Sequence, residues 1–351
     1  MALLADLGGW PAVLGPLCAG RDLSSALAAA AMTEVLTGSA SPAQIAGFAI
    51  ALRMKGETVE EMTGLVNAML GLSELVPLDP ATAAVVIDTC GTGGDRSGTV
   101  NVSTMAAIVA TGAGARVCKH GGRAATSRAG SADVLEALGV TLDLTPAAVA
   151  RCVTEVGMGF CFAPKFHPAM RHAGPVRSEL GVPTVFNFLG PLANPARVRR
   201  QVVGVSDARM AGKVLGVLQA NGTERALVVY GQDGLDELST VEPSTILELR
   251  DHEVRSTTVD PRALGFDPAT RHELEGGDAA HNAARVHAIL AGERGPQRDI
   301  VVLNTAAALI VAGIVEGLSD GVLAAQESID SGAATKILDG LVRVSSEASA
   351  S

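Results

Sequence analysis

Four clusters in this chain hold the side chains and the backbone freedom that chemistry on an anionic ligand would need. The first is Asp88-Thr89-Cys90-Gly91-Thr92-Gly93-Gly94-Asp95, answered a few residues on by Asn101-Val102-Ser103-Thr104. An apolar run over 83–87 leads into the glycines, and a small-residue helical pattern over 103–110 leads away. Strand, glycine loop and helix start together form a cradle in which backbone N–H groups face a phosphate. Neither familiar nucleotide loop fits. Gly93 and Gly98 have the P-loop separation, but Thr99-Val100 stands where Lys-Ser/Thr is required; Gly91 and Gly93 begin a GxGxxG pattern whose last place is taken by Arg96. Taken alone, the loop could also be a plain glycine-rich turn.

The second cluster is Lys119-His120-Gly121-Gly122-Arg123-Ala124-Ala125-Thr126-Ser127, followed by Gly130-Ser131 as turn and N-cap of a helix over 132–138. Two fixed cations, a histidine, two hydroxyls and free amides in one strand-to-helix loop suit a polyanion, with a solvated basic turn as the alternative. The third is Asp233-Gly234-Leu235-Asp236-Glu237. Adjacent carboxylates at a strand end suit a hard divalent cation, which takes oxygen ligands and keeps some of its water; an ordinary acidic turn is the competing reading. The fourth is Arg177, on a helical pattern reaching Leu180 after the proline-studded stretch 163–177. His167 and His172 in that stretch are poor candidates for metal ligands, because Lys165 and Arg171 stand beside them.

These clusters need elements to position them. Residues 1 to about 75 read as short helices. Ser41-Pro42 is a cap with proline in the first turn, Ile45, Phe48, Ala49 and Leu52 recur at helical spacing, and Thr58 with Glu61 makes a capping box. From about residue 80 the pattern alternates strand and helix, as in a largely parallel sheet with helices on its faces. Strands are expected at 85–88, 116–119, 159–163, 184–186, 202–205 and 226–230, with helices over 103–111, 132–138, 146–156 and 207–220. A hairpin is expected around Asp251-His252, and helices again over 276–344. In such sheets ligands bind beyond the carboxyl ends of the strands. The glycine loop and the Lys119 loop both sit there.

The bulk properties narrow the function. The chain of 351 residues exceeds a typical single core, so a large and a small domain are expected. A formal net charge of -10 argues against a nonspecific nucleic-acid binder, which needs many cations to displace counterions. The amino terminus has no basic run of a secretory signal, and the apolar stretch 300–315 contains Asn304 and is short for a membrane span, so a soluble, cytoplasmic protein without membrane partners is expected. Five cysteines without a CxxC pair suit reduced thiols used as packing residues. The Ser/Ala-rich tail after Val344 reads as disordered.

In their order along the chain, the Gly91–Asp95 loop, Asn101-Val102-Ser103-Thr104, the Lys119-His120-Gly121 segment with Gly130–Glu136, Asn187-Phe188-Leu189-Gly190-Pro191-Leu192 and Asp233–Glu237 resemble the anthranilate phosphoribosyltransferase family. The resemblance spans nearly the whole chain. It implies a small all-α domain (1–80, with part of 167–197 packed on it), a large α/β domain with a central, mostly parallel sheet (81–345), a tail over 346–351, and a homodimer assembled through the helical domains. It implies the transfer of phosphoribose from phosphoribosyl pyrophosphate to anthranilate, with two Mg2+ per subunit. Gly91, Thr92, Gly93, Gly94, Asp95, Thr99, Asn101, Val102, Ser103, Thr104, the loop from Lys119 to Ser127 and Ser131 would hold phosphoribosyl pyrophosphate. Ser103, Asp236 and Glu237 would hold the metal. Lys119 and Arg123 would stabilise the departing diphosphate, and no acid or base is needed to activate an aniline nitrogen. Arg177 would grip the anthranilate carboxylate, with Gly91, His120, Gly122, Pro164, His167 and Met170 around the ring. One position departs from the family: Asn usually follows His-Gly in the second loop, and here Gly122 does. Transfer to a related aminobenzoate, nucleoside phosphorolysis on the same fold, and a non-catalytic nucleic-acid-binding relative are the alternatives.

Overall fold

The computed structural model describes residues 3–124 and 128–350. Four helices open the chain: α1 (Gly9–Cys18), α2 (Ser25–Thr37), α3 (Pro42–Lys55) and α4 (Val59–Gly71). Their starts follow local chemistry. Ser41 caps α3, whose Gln44 accepts in return from Ser41 N at 2.8 Å, and Thr58 and Glu61 repeat the reciprocal box on α4. α2 and α4 approach so closely that a Cβ on Gly64 would lie 2.2 Å from the Ser25 carbonyl oxygen. The charge buried beside them is matched: Glu61 accepts from Lys55 Nζ at 3.0 Å and from Leu23 N at 2.9 Å.

After α5 (Pro80–Val85) the strand-helix alternation begins: β1 (Ile87–Gly91), α6 (Val102–Gly112), β2 (Val117–Gly121), α7 (Ser131–Ala137), α8 (Pro146–Val156) and β3 (Met158–Phe162). A crossing follows with α9 (Ala163–Phe166), α10 (Gly174–Leu180) and α11 (Phe186–Leu189). Then come β4 (Arg200–Gly204), α12 (Ala208–Ala220), β5 (Arg225–Gly231), β6 (Ser244–Arg250) and β7 (Glu253–Val259), and finally α13 (Ala279–Leu290), α14 (Pro296–Ala312), α15 (Leu318–Asp330) and α16 (Ala333–Ser349). The seven strands lie in the order β3-β2-β1-β4-β5-β6-β7, parallel from β3 to β5, with β6 and β7 added antiparallel. The tight turn between β6 and β7 is made by Asp251 and His252, both at positive φ, as a two-residue hairpin requires.

Alternation along the central strands supplies two cores. Val202, Leu227 and Val229 face the helices α6 and α14, while Val203, Ala226 and Val228 face α12 and the amino-terminal helices. The helical bundle thus shares a core with one face of the sheet. The crossing joins it there: α10 packs on α3, and residues 168–172 pack on α2.

Local chemistry overrides several sequence expectations. Residues 184–186 are not a strand; the Asn187 side chain accepts from Thr184 N at 3.0 Å and turns the chain into α11. The strand expected at 85–88 begins at Ile87, because Asp79 caps α5 with Pro80 in its first turn. The cap of α7 is Gly130, not Ser131; a Cβ at Gly130 would lie 2.4 Å from Ala124 N, and the Asp133 carboxylate accepts from Gly130 N at 2.8 Å and Ala124 N at 3.0 Å. The tail expected to be disordered after Val344 continues α16 to Ser349, since Leu338, Leu341 and Val344 bury one face and Ser345 Oγ accepts from Thr141 N at 3.1 Å.

Candidate active site

The carboxyl edge of the sheet and the helical bundle enclose a cavity of about 1080 Å3. β1 delivers the glycine loop, α6 begins opposite it, β2 delivers the Lys119 loop, and the crossing supplies the remaining wall together with Met69 of α4. Of the residues expected at the site, Gly91 to Asp95, Thr99, Asn101 to Ser103, Lys119 to Ala124, Ser131, Pro164, His167, Met170, Arg177, Asp236 and Glu237 all line this cavity. Thr104 does not: it points into the core and is fully buried, with no hydrogen-bond partner for Oγ1 among the described residues. Ala125, Thr126 and Ser127 lie outside the described residues.

The floor is built by two glycines in register. Gly91 ends β1 beside Gly204 at the end of β4. A Cβ on Gly91 would meet Asp236 Oδ2 at 2.3 Å, and one on Gly204 would meet the Asp236 carbonyl oxygen at 1.6 Å. The Asp233–Glu237 segment therefore lies flat across the strand ends. There Asp236 Oδ2 accepts from Gly93 N at 2.7 Å, and Glu237 accepts from Ser103 N. Burial, and then the neighbouring Asp95 carboxylate, push Asp236 up to about 7. Glu237 is raised well above the usual carboxylate range by burial and by Asp236, against the pull of Lys119. Crowded, proton-hungry carboxylates are what a bound divalent cation would relieve. The donors are all oxygen, as magnesium prefers. Among the described residues no three acidic, His or Cys side chains converge tightly enough to hold an ion alone, so the set fits magnesium completed by ligand oxygens and water.

The two cations expected to face a leaving group are placed differently. Lys119 is buried at the base, donating to the Thr89 carbonyl and to Ser103 Oγ at 3.2 Å, so it orients Ser103 and offsets the acidic floor. Arg123 is held at 2.8 Å by both Asp133 and Glu136. Its charge is already matched. Arg96, Arg128 and Arg171 also line the cavity; in the sequence Arg171 serves only as an argument against a metal at the histidines.

On the crossing side the surface becomes apolar. Arg177 lies over the Phe186 ring, 5.8 Å from its centroid, with no acidic partner among the described residues, and burial lowers its pKa. The His120 and His167 rings lie 5.1 Å apart. Nδ1 of His120 meets the Gly190 carbonyl at 3.1 Å and Nε2 of His167 meets that of Ala193 at 2.8 Å. Burial, then the neighbouring His167 and Lys119, lower His120 to about 3. The native state thus refuses a proton that the unfolded chain accepts near pH 6.5, so stability is complete above that pH and is lost as pH falls toward 3. Urea unfolding should show about 2 kcal/mol lost between pH 7 and pH 5 through this group, and His120→Gln should flatten that slope; an unchanged slope would contradict the buried neutral ring.

Gly122 is not in the left-handed region, and a Cβ there would sit 3.8 Å from that of Ala163, an ordinary contact. Gly122→Asn should therefore fold normally and turn over as fast as the parent or faster, having less loop entropy to lose on binding. A slower variant would show that glycine is adapted to this chain.

A helical bundle set against an α/β domain, with a phosphate cradle at the strand ends between them, defines a two-domain glycosyl transferase. The helical bundle domain of a glycosyl transferase family matches residues 11–73, and the a/b domain of a glycosyl transferase family matches residues 83–335. An anthranilate phosphoribosyltransferase of Salinispora arenicola is 53% identical over 340 residues, covering 95% of this chain and 96% of that one. The chain belongs to the anthranilate phosphoribosyltransferase family. The crystal structure of the Thermus thermophilus enzyme superposes with a TM-score of 0.89 at 39% identity, covering 95% of this chain and 99% of that one. The Saccharomyces cerevisiae enzyme in complex with PRPP and Mg superposes with a TM-score of 0.88 at 28% identity, covering 96% and 98%.

Proposed function

We propose that this chain transfers the phosphoribosyl group of phosphoribosyl pyrophosphate (PRPP) to the amino nitrogen of anthranilate, releasing diphosphate, as a step of tryptophan biosynthesis. The observation that carries this reading is a juxtaposition in one cavity. An amide-rich cradle over an acidic floor stands next to an apolar wall with a half-buried arginine that has no acidic partner among the described residues. The first suits a magnesium diphosphate, the second an aromatic carboxylate.

In this reading the glycine loop, Thr99, Asn101 to Ser103 and the Lys119 loop bind PRPP. Asp236, Glu237 and Ser103 hold magnesium with the diphosphate oxygens, two ions per subunit. When bound, the metal supplies Lewis-acid charge neutralisation for the departing diphosphate. The loop amides past Gly93, whose own N–H is given to Asp236, add hydrogen bonds to the charge that develops on it. Arg177, resting on Phe186, orients the carboxylate so that the amino nitrogen faces C1 of the ribose, with His120, Pro164, His167 and Met170 excluding water. As the C1–N bond forms, the C1–O bond breaks and its electron pair leaves with diphosphate. The amine proton passes to solvent, and a neutral, buried His120 is consistent with a reaction that needs no strong base. The helical unit, 1–80 with 167–197, would also form a homodimer; Leu3 at 69% and Met54 at 80% exposure leave apolar surface there for a second copy.

A panel of anilines and aminobenzoates tests the acceptor. Anthranilate should give the highest kcat/KM, and aniline, which lacks the carboxylate, should fall below it by about 1.5 to 3 kcal/mol, the range for a charged hydrogen bond. In Arg177→Ala the same loss should appear in KM for anthranilate while aniline is unaffected. Equal losses for both acceptors would remove Arg177 from the carboxylate site, and a substituted aminobenzoate outrunning anthranilate would reassign the acceptor.

A further inference from the structure

β1 is paired with β4 along its whole length, from Ile87 and Arg200 to Gly91 and Gly204, but with β2 only at Ile87 and Val117. β2 is in turn fully paired with β3. Between the two strands that carry the glycine loop and the Lys119 loop the regular ladder therefore stops after the first residues, while the strands run on side by side. Side chains meet the ladder groups left open in the gap. Asp88 Oδ1 accepts from His120 N at 3.2 Å. Asn194 Nδ2 donates to Asp88 Oδ2 at 2.8 Å and to the Cys118 carbonyl at 2.8 Å, while its own Oδ1 accepts from Ala196 N at 2.8 Å and fixes the amide's orientation. Lys119 Nζ donates to the Thr89 carbonyl, and Gln201 Nε2 approaches Asp88 Oδ2 from β4 at 3.4 Å.

Asp88 is fully buried and Asn194 is 4% exposed, and neither lines the cavity. An ionised carboxylate this deep costs several kcal/mol in desolvation unless every lone pair is used, so its presence under the floor demands a reason. We propose that Asp88 and Asn194 form a wedge that sets the spacing of β1 and β2, and are positioning residues for phosphoribosyl transfer. With side chains in place of the ladder, Asp88 and Asn194 fix the spacing and relative tilt of the Lys119 loop and the glycine loop, keep His120 on the Gly190 carbonyl, and tie both strands to the crossing that carries Arg177. The inference rests on the reading of the site as a PRPP site.

Asp88→Asn keeps the shape but turns an N–H donor toward either His120 N or Asn194 Nδ2, which are themselves donors. It should stay folded and lose about 10² in kcat, with weaker PRPP-magnesium binding by calorimetry, as a displaced pair of loops would. Asn194→Asp sets two carboxylates in contact, which cannot both ionise. It should be slow near pH 8.5 and recover toward pH 6, where a shared proton restores the donor. Variants with a lower melting temperature but parental kcat, PRPP affinity and pH profile would overturn the wedge. If Asp88→Asn does not fold, the pH profile of Asn194→Asp decides. A parent that binds PRPP but turns over no aminobenzoate would defeat the functional reading and leave the binding comparison to judge the wedge.

Discussion

Glu237→Gln should lower kcat/KM for PRPP by about 10²- to 10³-fold, the scale of losing one preorganised contact to a leaving group's charge. The substitution is nearly isosteric, and Ser103 N can still donate to the amide oxygen, so folding should be preserved. What changes is charge. Burial, Asp236 and Asp95 all oppose ionisation of Glu237, and only Lys119 and the Ser103 amide favour it among the groups named here. Glutamine removes the cluster's demand for a divalent ion, and the magnesium concentration giving half-maximal rate should rise. The check is a magnesium titration of initial rates on both proteins; a parental rate with unchanged magnesium response would take Glu237 out of the metal site. Asp236→Asn should act in the same direction.

Gly204→Ala should cost about 10² in activity without touching a side chain of the site. A methyl there would stand 1.6 Å from the Asp236 carbonyl oxygen, a backbone atom that no rotamer change can move aside. The 233–237 segment must lift off the strand ends, taking Asp236 away from Gly93 N. Overpacking of this kind commonly costs about 1 to 3 kcal/mol of stability, so urea unfolding and kinetics should be measured together. Full activity in Gly204→Ala would show that the flat floor is not required.

These two residues mark what the sequence makes legible. Glu237 is visible because its neighbours in sequence, Asp233 and Asp236, announce an acidic turn after a strand. Gly204 is invisible because the residue that needs its missing side chain comes 32 positions later in the chain and passes over it only in the folded state. Thr104 escapes a sequence reading for a related reason: successive residues at the start of α6 point in different directions, so Ser103 faces the cavity while Thr104 faces the core. Lys119 and Arg123 do reach the site, but their partners, Ser103 and the Thr89 carbonyl for one and Asp133 and Glu136 for the other, are a matter of loop geometry. The capping boxes of α3 and α4, and the strand-helix alternation, are readable because their causes lie within a few residues. The strand expected at 184–186 fails where the Asn187 side chain competes with the apolar pattern.

The central claim is that one cavity holds magnesium-bound PRPP next to a carboxylate clamp. Its most direct test is anthranilate fluorescence followed after mixing the protein with PRPP, with and without magnesium. The fluorescence should fall in proportion to protein added, only when PRPP and magnesium are both present, and should barely respond in Glu237→Gln. Steady fluorescence at any practical protein concentration, with release of free base from uridine or thymidine by phosphate instead, would contradict the account and make the cavity a nucleoside phosphorylase site.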